Sequence, residues 1–182
     1  MSLVAGQIVE PYAKAFMSVA ESKELTEQFG TEIRSLLELI KNSPELAEFV
    51  GNPTIDRKNK KAVLNRVLGE EVNPYMRNFL MLLVDKGRIV FLEDIGKEYL
   101  AQLRKLNQTV LAEVTSAVEL TEDQMSTVRE KVKAITGARE VEIESTIASD
   151  LLGGVIIKTG SQILDASLRG QLRRIGISLN AR

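Results

Sequence analysis

The sequence predicts an α+β protein in which a helical N-terminal domain precedes a small mixed C-terminal domain. Up to about residue 105, apolar residues recur at helical spacing. Beyond that point two segments alternate apolar and polar residues, which is the pattern of half-buried strands, and a helical segment separates them. The spacing of the apolar residues therefore changes from helical to strand-like near Leu106. We therefore expect a helical domain over residues 1–105 and an α+β domain over residues 106–182.

The first predicted helix, over about residues 7–21, carries more apolar surface than one core requires. Its apolar residues occupy an arc of roughly 200°, whereas a helix that covers a single core needs a stripe of little more than about 100°. We therefore expect this helix to bury two surfaces. Its apolar residues are Ile8, Val9, Tyr12, Ala13, Ala15, Phe16, Met17, Val19 and Ala20.

Three further segments have helical patterns. Residues 23–41 form a conventional amphipathic sequence with one wet face. Ser43 is placed as an N-cap and Pro44 as the first helical residue of a short helix that ends near Val50. A fourth helix is predicted over about residues 54–68.

A fifth helix is predicted over about residues 74–86, opened by Asn73 and followed by a stop at Gly87. Its residues are apolar almost all round, which predicts burial on nearly every side. A long sixth helix runs from Ile89 to Leu106. Six helices with short connections predict an antiparallel bundle.

The C-terminal domain is predicted from alternation and turn residues. Residues 110–118 and 140–147 have the period of strands. Between them Thr121 opens a capping box, which predicts a helix. Two more strands are expected on either side of Gly160, at a hairpin turn. The last helix is expected to start at Asp165, with Asp165 as its N-cap.

Composition argues against several classes of function. The 182 residues include no Cys, His or Trp, so the usual proton shuttles, thiolate nucleophiles and soft metal ligands are absent. We therefore expect a non-catalytic protein without a cofactor or a bound metal. The formal net charge of -1 gives no overall field towards nucleic acid or anionic lipid. The longest apolar run, residues 79–84, is much shorter than the roughly 20 residues that span a bilayer. The first ten residues lack the features of a signal or transit peptide, so we expect the protein to stay where it is made.

Two local patterns are candidates for a chemical site. A phosphate-binding loop needs two glycines before Lys-Ser or Lys-Thr, but Gly96 and Lys97 precede a glutamate and Phe91 stands where the first glycine belongs. An acidic set could supply oxygen ligands to a metal, although its period-two spacing favours a solvated strand face. It comprises Glu140, Glu142, Glu144 and Asp150.

Basic residues provide the alternative function, a nucleic-acid-binding module that uses basic helix faces. No aromatic residues are interleaved with them, so a solvated helix face is favoured. The residues of this alternative are Arg57, Lys58, Lys60, Lys61, Arg169, Arg173 and Arg174.

Three segments give the chain a resemblance to a known family. They are residues 10–16, residues 78–88 and residues 153–172, the last with a Gly-Gly strand, a Gly turn and Asp-x-Ser before the final helix. In order and separation they resemble the delta subunit of bacterial and chloroplast F-type ATP synthases, the homologue of the mitochondrial oligomycin-sensitivity-conferring protein. Residues 147–150 lack the proline that the family often has before the Gly-Gly pair. Residues 4–10 look most like cyanobacterial members.

The resemblance implies a stator subunit without catalytic activity. One copy per complex would link the N-terminal segments of the α subunits of the catalytic head to the b-type subunits of the peripheral stalk, and would resist rotor torque during proton-driven ATP synthesis. It also implies a peripheral membrane protein on the cytoplasmic or stromal face of a plasma or thylakoid membrane, with no direct membrane insertion and no nucleic acid.

Two sets of candidate site residues follow. The wide apolar arc of the first helix and the apolar fifth helix would leave a groove for an amphipathic α-subunit helix. The head-binding candidates are Tyr12, Ala15, Phe16, Val19, Phe79, Leu82 and Leu83. For each of these, a place in the bundle core is the alternative. The stalk-binding candidates, matched to the family, are Gly154, Ile156, Asp165, Leu168 and Leu172. The two leucines are interpreted as core residues that shape the stalk site indirectly.

Overall fold

The computed structural model describes residues 3–69, 72–148 and 150–180, and the side chains of residues 6–69, 72–148 and 150–174. In this part of the chain it contains eight α-helices and a four-stranded sheet, which makes the protein α+β. The chain divides into a first unit, Met1–Leu103, and a second unit, Arg104–Arg182.

The first unit is helical. Its helices follow one another closely along the sequence, and the sixth helix is preceded by a 3-10 turn at Ile89–Phe91. The helices are α1 (Leu3–Ser22), α2 (Thr26–Asn42), α3 (Pro44–Gly51), α4 (Arg57–Leu68), α5 (Pro74–Asp85) and α6 (Leu92–Leu106).

Stacked aromatic rings lie at the centre of the first unit. The ring of Phe16 lies between those of Phe29 and Phe79, with centroids 4.8 and 4.2 Å away and planes 2° and 11° apart. Tyr99 is fully buried against Phe16, and its hydroxyl donates to the carbonyl of Thr26 at 3.1 Å. Burial, reinforced by two nearby glutamates, raises the pKa of Tyr99 above its ordinary range. The core therefore ties α1, α2, α5 and α6 together.

In the first unit the predicted starts of the second, fourth and sixth helices are too early because turns precede the helices, at Ile89–Phe91 for the sixth. The second helix begins at Thr26, not at residue 23, since Glu24 adopts a left-handed conformation with φ of 57°. The fourth begins at Arg57, not at residue 54, since the backbone N–H of Thr54 donates to the side chain of Asn52 at 2.9 Å. Such side-chain turns compete with the first turn of a helix.

The fifth helix starts where the sequence predicts, because the side chain of Asn73 accepts a hydrogen bond from the N–H of Tyr75 at 2.9 Å. Burial on nearly every side is wrong, however. Tyr75 and Leu82 are 43% and 44% exposed, so one face of α5 remains open.

The second unit is built on a mixed sheet. Its strands are β1 (Thr109–Ser116), β2 (Glu140–Ile147), β3 (Val155–Thr159) and β4 (Gln162–Asp165), in the order β2-β1-β3-β4. β1 and β2 are parallel and are connected through α7 (Glu122–Thr136), whereas β1–β3 and β3–β4 are antiparallel. The predicted hairpin therefore joins β3 to β4.

Helix α7 covers one face of this sheet. Its predicted capping box is present, since the N–H of Gln124 donates to Thr121 Oγ1 and the N–H of Thr121 donates to Gln124 Oε1. Gly137 ends the helix with φ of 67°. The buried core between helix and sheet consists of Ala112, Val114, Val128, Val132, Val141 and Ile157.

The last helix, α8 (Leu168–Asn180), starts three residues later than predicted. Asp165 is the last residue of β4 and is not the N-cap. The hydroxyl of Ser167 accepts from the N–H of Gly170 at 3.0 Å, which is the N-cap contact. Asp165 in turn accepts from the N–H and the hydroxyl of Ser167, at 2.9 and 2.6 Å. Asp165 therefore holds the cap in place.

Within the described residues, no helix combines the length and the apolar content that crossing a bilayer requires.

Candidate partner-binding sites

An open groove of about 480 Å³ lies between α1 and α5. Six of the seven head-binding candidates line it: Tyr12, Ala15, Phe16, Val19, Phe79 and Leu82. The groove has an apolar lining apart from Asn78. Contact of this lining with water is unfavourable, so its burial under an apolar partner would stabilise the complex.

The residues at the floor of this groove are more buried than the residues of its walls. Phe16 is only 3% exposed and Phe79 is half-buried, and their stacked rings form the floor. Val19 and Leu82, 38% and 44% exposed, stand on opposite walls. Leu83 is fully buried and does not line the groove, so its assignment as a contact residue is wrong and it belongs to the core.

The two walls run in opposite directions. Phe16 lies opposite Phe79, and two turns further along α1 the Nζ of Lys23 sits 5.6 Å from the ring centroid of Tyr75. Moving forward along α1 therefore means moving backward along α5. The groove is a straight channel between antiparallel helices, which suits an elongated partner segment.

Sequence reasoning missed three lining residues: Pro11, Tyr75 and Asn78. The signal was present in the spacing, because positions 75, 78, 79 and 82 recur every three or four residues along one face of α5. In a helix that is apolar almost all round, however, the sequence does not distinguish the groove face from the core face, because no polar stripe separates them.

A second groove, of about 410 Å³, lies on the first unit beside α2 and was not predicted. Polar residues make up a third of its lining, and one oxygen of Glu32 accepts from the N–H of Asn73 at 3.3 Å. It is lined by Thr31, Glu32, Ser35, Leu36, Leu39, Val67, Leu68, Val72 and Met76. This mixed surface is less suited to an apolar helix face than the groove between α1 and α5.

The stalk-binding candidates of the second unit lie at the start of β3, the end of β4 and the start of α8. Gly154 has φ of 81°, and a Cβ added there would overlap the carbonyl of Ala166 and lie 2.8 Å from the Cα of Ser167. Ile156 is paired in register with Asp165 across β3 and β4. Only glycine allows this close approach, so Gly154 fixes where α8 leaves the sheet.

The interpretation of Leu168 and Leu172 as core residues is wrong. They are 47% and 64% exposed on α8. Leu152, which precedes the Gly153 that the side chain of Leu168 approaches, is 75% exposed. Arg169 and Arg173 are exposed on the same helix. The described part of α8 thus carries apolar and basic side chains that the other described residues leave exposed.

The pKa of Asp165 is lowered from its ordinary value. The hydroxyl of Ser167 is the main cause, since its hydrogen bond stabilises the charged carboxylate, and the backbone N–H of Ser167 and the positive charges of Arg174 and Arg173 add to it. The guanidinium of Arg174 also donates to the carbonyl of Asp165 at 3.2 Å. These contacts secure the β4–α8 turn.

The basic run of the alternative function is not a free cationic surface. Lys60 is 7% exposed, and its Nζ donates to the carbonyl of Val50 at 2.7 Å. Lys61 forms a salt bridge with Asp85 at 2.6 Å. Both cations have partners within the chain, so two of the four basic residues of this run are not available to bind phosphate.

Two of the three acidic residues on β2 are likewise engaged with basic side chains. Glu142 pairs with Arg104 at 3.1 Å and Glu140 with Lys133 at 3.5 Å. In the described part of the chain, no group of three or more acidic side chains is arranged to hold a metal ion.

The chain is similar along almost its whole length to known proteins. Residues 8–179 match the family described as ATP synthase delta (OSCP) subunit. ATP synthase subunit delta of Trichodesmium erythraeum is 66% identical over 179 residues, which is 98% of either chain. That of Gloeothece citriformis is 61% identical over 173 residues, 95% of this chain and 94% of the relative. A chain in the cryo-EM structure of the Toxoplasma gondii mitochondrial ATP synthase hexamer shares the fold, with a TM-score of 0.73 at 22% identity over 96% of this chain and 98% of that one.

Proposed function

The chain belongs to the ATP synthase delta (OSCP) subunit family, as a non-catalytic stator component of F-type ATP synthase, and from this we propose how its two units divide the work. The first unit, with α1–α6 as an antiparallel bundle, binds N-terminal segments of the head's α subunits. The second unit binds the b-type subunits of the peripheral stalk. One copy bridges the two, and so keeps the head from turning with the rotor during proton-driven ATP synthesis.

The observation that carries this proposal is the open apolar groove between α1 and α5. Its width is set by two antiparallel helices, and its floor is the Phe16–Phe79 stack. A groove of this kind receives the apolar face of an amphipathic helix, with anchors at every third or fourth residue. A stator contact has to persist while torque is applied, so an apolar and slowly dissociating interface suits the role.

The stalk contact is supported by the exposed apolar side chains of the second unit. Leu168 and Leu172 on α8 are accessible, and the β4–α8 turn that positions them is fixed by Asp165 and Ser167. A helix with one uncovered apolar stripe packs readily against another helix. We place the assembled protein at the cytoplasmic or stromal face of a plasma or thylakoid membrane.

Cross-linking in the assembled ATP synthase tests the head contact. The chain has no cysteine, so a thiol-directed photo-cross-linker that is attached to the isolated chain before assembly labels the chosen position only. Val19→Cys and Leu82→Cys, on opposite walls, are expected to form adducts with the N-terminal segment of an α subunit. Lys58→Cys, exposed on α4, is the matched control and is expected to form none. Adducts from the control alone, or groove adducts only with other subunits, would refute the assignment.

A further inference from the structure

The groove between α1 and α5 carries a lysine at each end. At one end Lys23 follows the last turn of α1, and its Nζ sits 5.6 Å from the ring centroid of Tyr75. At the other end Lys86 caps α5, and its backbone N–H donates to the carbonyl of Leu82 at 3.0 Å. Lys86 therefore continues α5 by one turn beyond the groove residue Leu82, on the face that carries the lining side chains.

Neither lysine is neutralised by a carboxylate of the described chain. No salt bridge involves Lys23 or Lys86 there, although other lysines of the first unit are paired. Asp85, the neighbour of Lys86, is already engaged by Lys61 at 2.6 Å. Both side chains are exposed, so their charges are available to a partner that lies in the groove.

The spacing of the two cations defines the length of a matching partner. Tyr75 lies beside Lys23, and from position 75 to position 86 is eleven residues along α5. At 1.5 Å per residue this is about 17 Å, or about three helical turns. Eleven residues also return to the same face of a helix, so a partner helix would present residues i and i+11 to the two ends of the groove.

We propose, building on the function proposed above, that the groove selects an amphipathic helix with a carboxylate at each end of its apolar stripe, about eleven residues apart. Lys23 and Lys86 pair with these two carboxylates. Apolar contacts supply affinity but tolerate slippage by a turn, whereas a charge at each end fixes register and speeds encounter. The two lysines are therefore specificity-determining residues.

Fluorescence anisotropy with a labelled peptide of the α-subunit N-terminal segment from the same organism tests this proposal. Lys23→Glu and Lys86→Glu are each expected to weaken binding about three- to tenfold at low salt, since each replaces an exposed attraction by a repulsion. The loss is expected to shrink as salt is raised. Lys58→Glu makes the same charge change on exposed α4 and is expected to leave affinity unchanged.

A charge swap provides the second measurement. In the charge-swapped peptide, lysine replaces the two acidic residues that stand at the ends of the apolar stripe. This peptide is expected to bind the Lys23→Glu/Lys86→Glu chain more tightly than it binds the unmodified chain. Unchanged affinity for both single variants, or a loss at one lysine only, would overturn the two-ended selection while leaving the groove's partner in place. Failure of the peptide to bind the unmodified chain would overturn this inference together with the proposed head contact.

Discussion

The ring of Phe16 stacks on that of Phe79 with centroids 4.2 Å apart and planes 11° apart, which joins the core of the first unit to the floor of its groove. Phe16 is buried on α1, and Phe79 is half-buried on α5. The same contact holds the two groove walls at a fixed separation. A change to either ring should therefore affect stability and partner binding together.

Phe79→Ala is expected to lower both stability and affinity. The free energy of unfolding should fall by about 2–3 kcal/mol, somewhat below the cost of a fully buried ring, because the side chain retains some exposure. All three tyrosines lie in the first unit, so intrinsic tyrosine fluorescence during urea unfolding reports this unit alone. Unchanged unfolding would show that the stack does not join groove and core.

Tyr75→Ala is the contrasting change in the same groove. Tyr75 is 43% exposed, so its removal should alter stability by less than about 0.5 kcal/mol. Peptide binding should still weaken several-fold, because the ring forms part of the wall. A stability loss as large as that of Phe79→Ala would contradict the division into floor and wall.

The position of Gly154 predicts a local loss of stability in the second unit. Gly154→Ala forces φ of 81° on a residue with a Cβ and drives that Cβ into the carbonyl of Ala166, so a cost of about 2 kcal/mol or more is expected. At Gly160, φ is 56° but the surrounding space is open, and Gly160→Ala should cost only about 1 kcal/mol. Amide hydrogen exchange of β3 measures both. Equal protection in the two variants would contradict the close approach.

Ser167 controls the ionisation of Asp165. Ser167→Ala should raise the pKa of Asp165 towards its ordinary value and remove an N-cap contact of about 1 kcal/mol. The folded-state pKa of Asp165 lies below the unfolded value of about 3.9, so its stabilising contribution is present above that pH and is lost as pH falls through the folded-state pKa. Carboxyl-carbon NMR titration checks the shift. Ser161→Ala, at the exposed β3–β4 turn, should leave it unaltered.

The features that could be predicted from the sequence are those fixed by local chemistry. The Thr121 capping box and the Asn73 cap are side-chain contacts within four residues, so residue type and spacing suffice to locate them. The groove could also be predicted from the sequence. The apolar arc of the first helix is too wide for one core, so it must leave a second apolar surface.

The errors arose where tertiary context decides. Leu82 and Leu83 are adjacent and equally apolar, yet one lines the groove and the other is fully buried, because neighbouring helical positions point about 100° apart. Leu168 and Leu172 have the spacing of a core stripe, but the pattern does not say whether the chain itself covers that stripe. Asp165 and Ser167 are both residue types that cap helices well. Because β4 extends to Asp165, the helix starts after it and Ser167 becomes the N-cap.

A fragment of residues 1–105 is expected to fold alone and to retain head binding. Its buried cluster joins helices from α1 to α6 without a residue of the sheet domain. Domains with their own core usually fold independently. Far-UV circular dichroism and a cooperative urea transition test the folding. A fragment that lacks helical signal would show that the first unit depends on the rest of the chain.

The most direct test of the head contact is calorimetric titration of the α-subunit N-terminal peptide into the Tyr12→Asp protein. A carboxylate in the apolar groove loses its hydration without gaining a partner, so binding should weaken by about 2–4 kcal/mol, roughly 30- to 1,000-fold in affinity. Tyr12→Phe keeps the ring and should bind like the unmodified chain. If a correctly folded Tyr12→Asp protein bound the peptide with unchanged affinity, the groove between α1 and α5 would not be the site that holds the catalytic head.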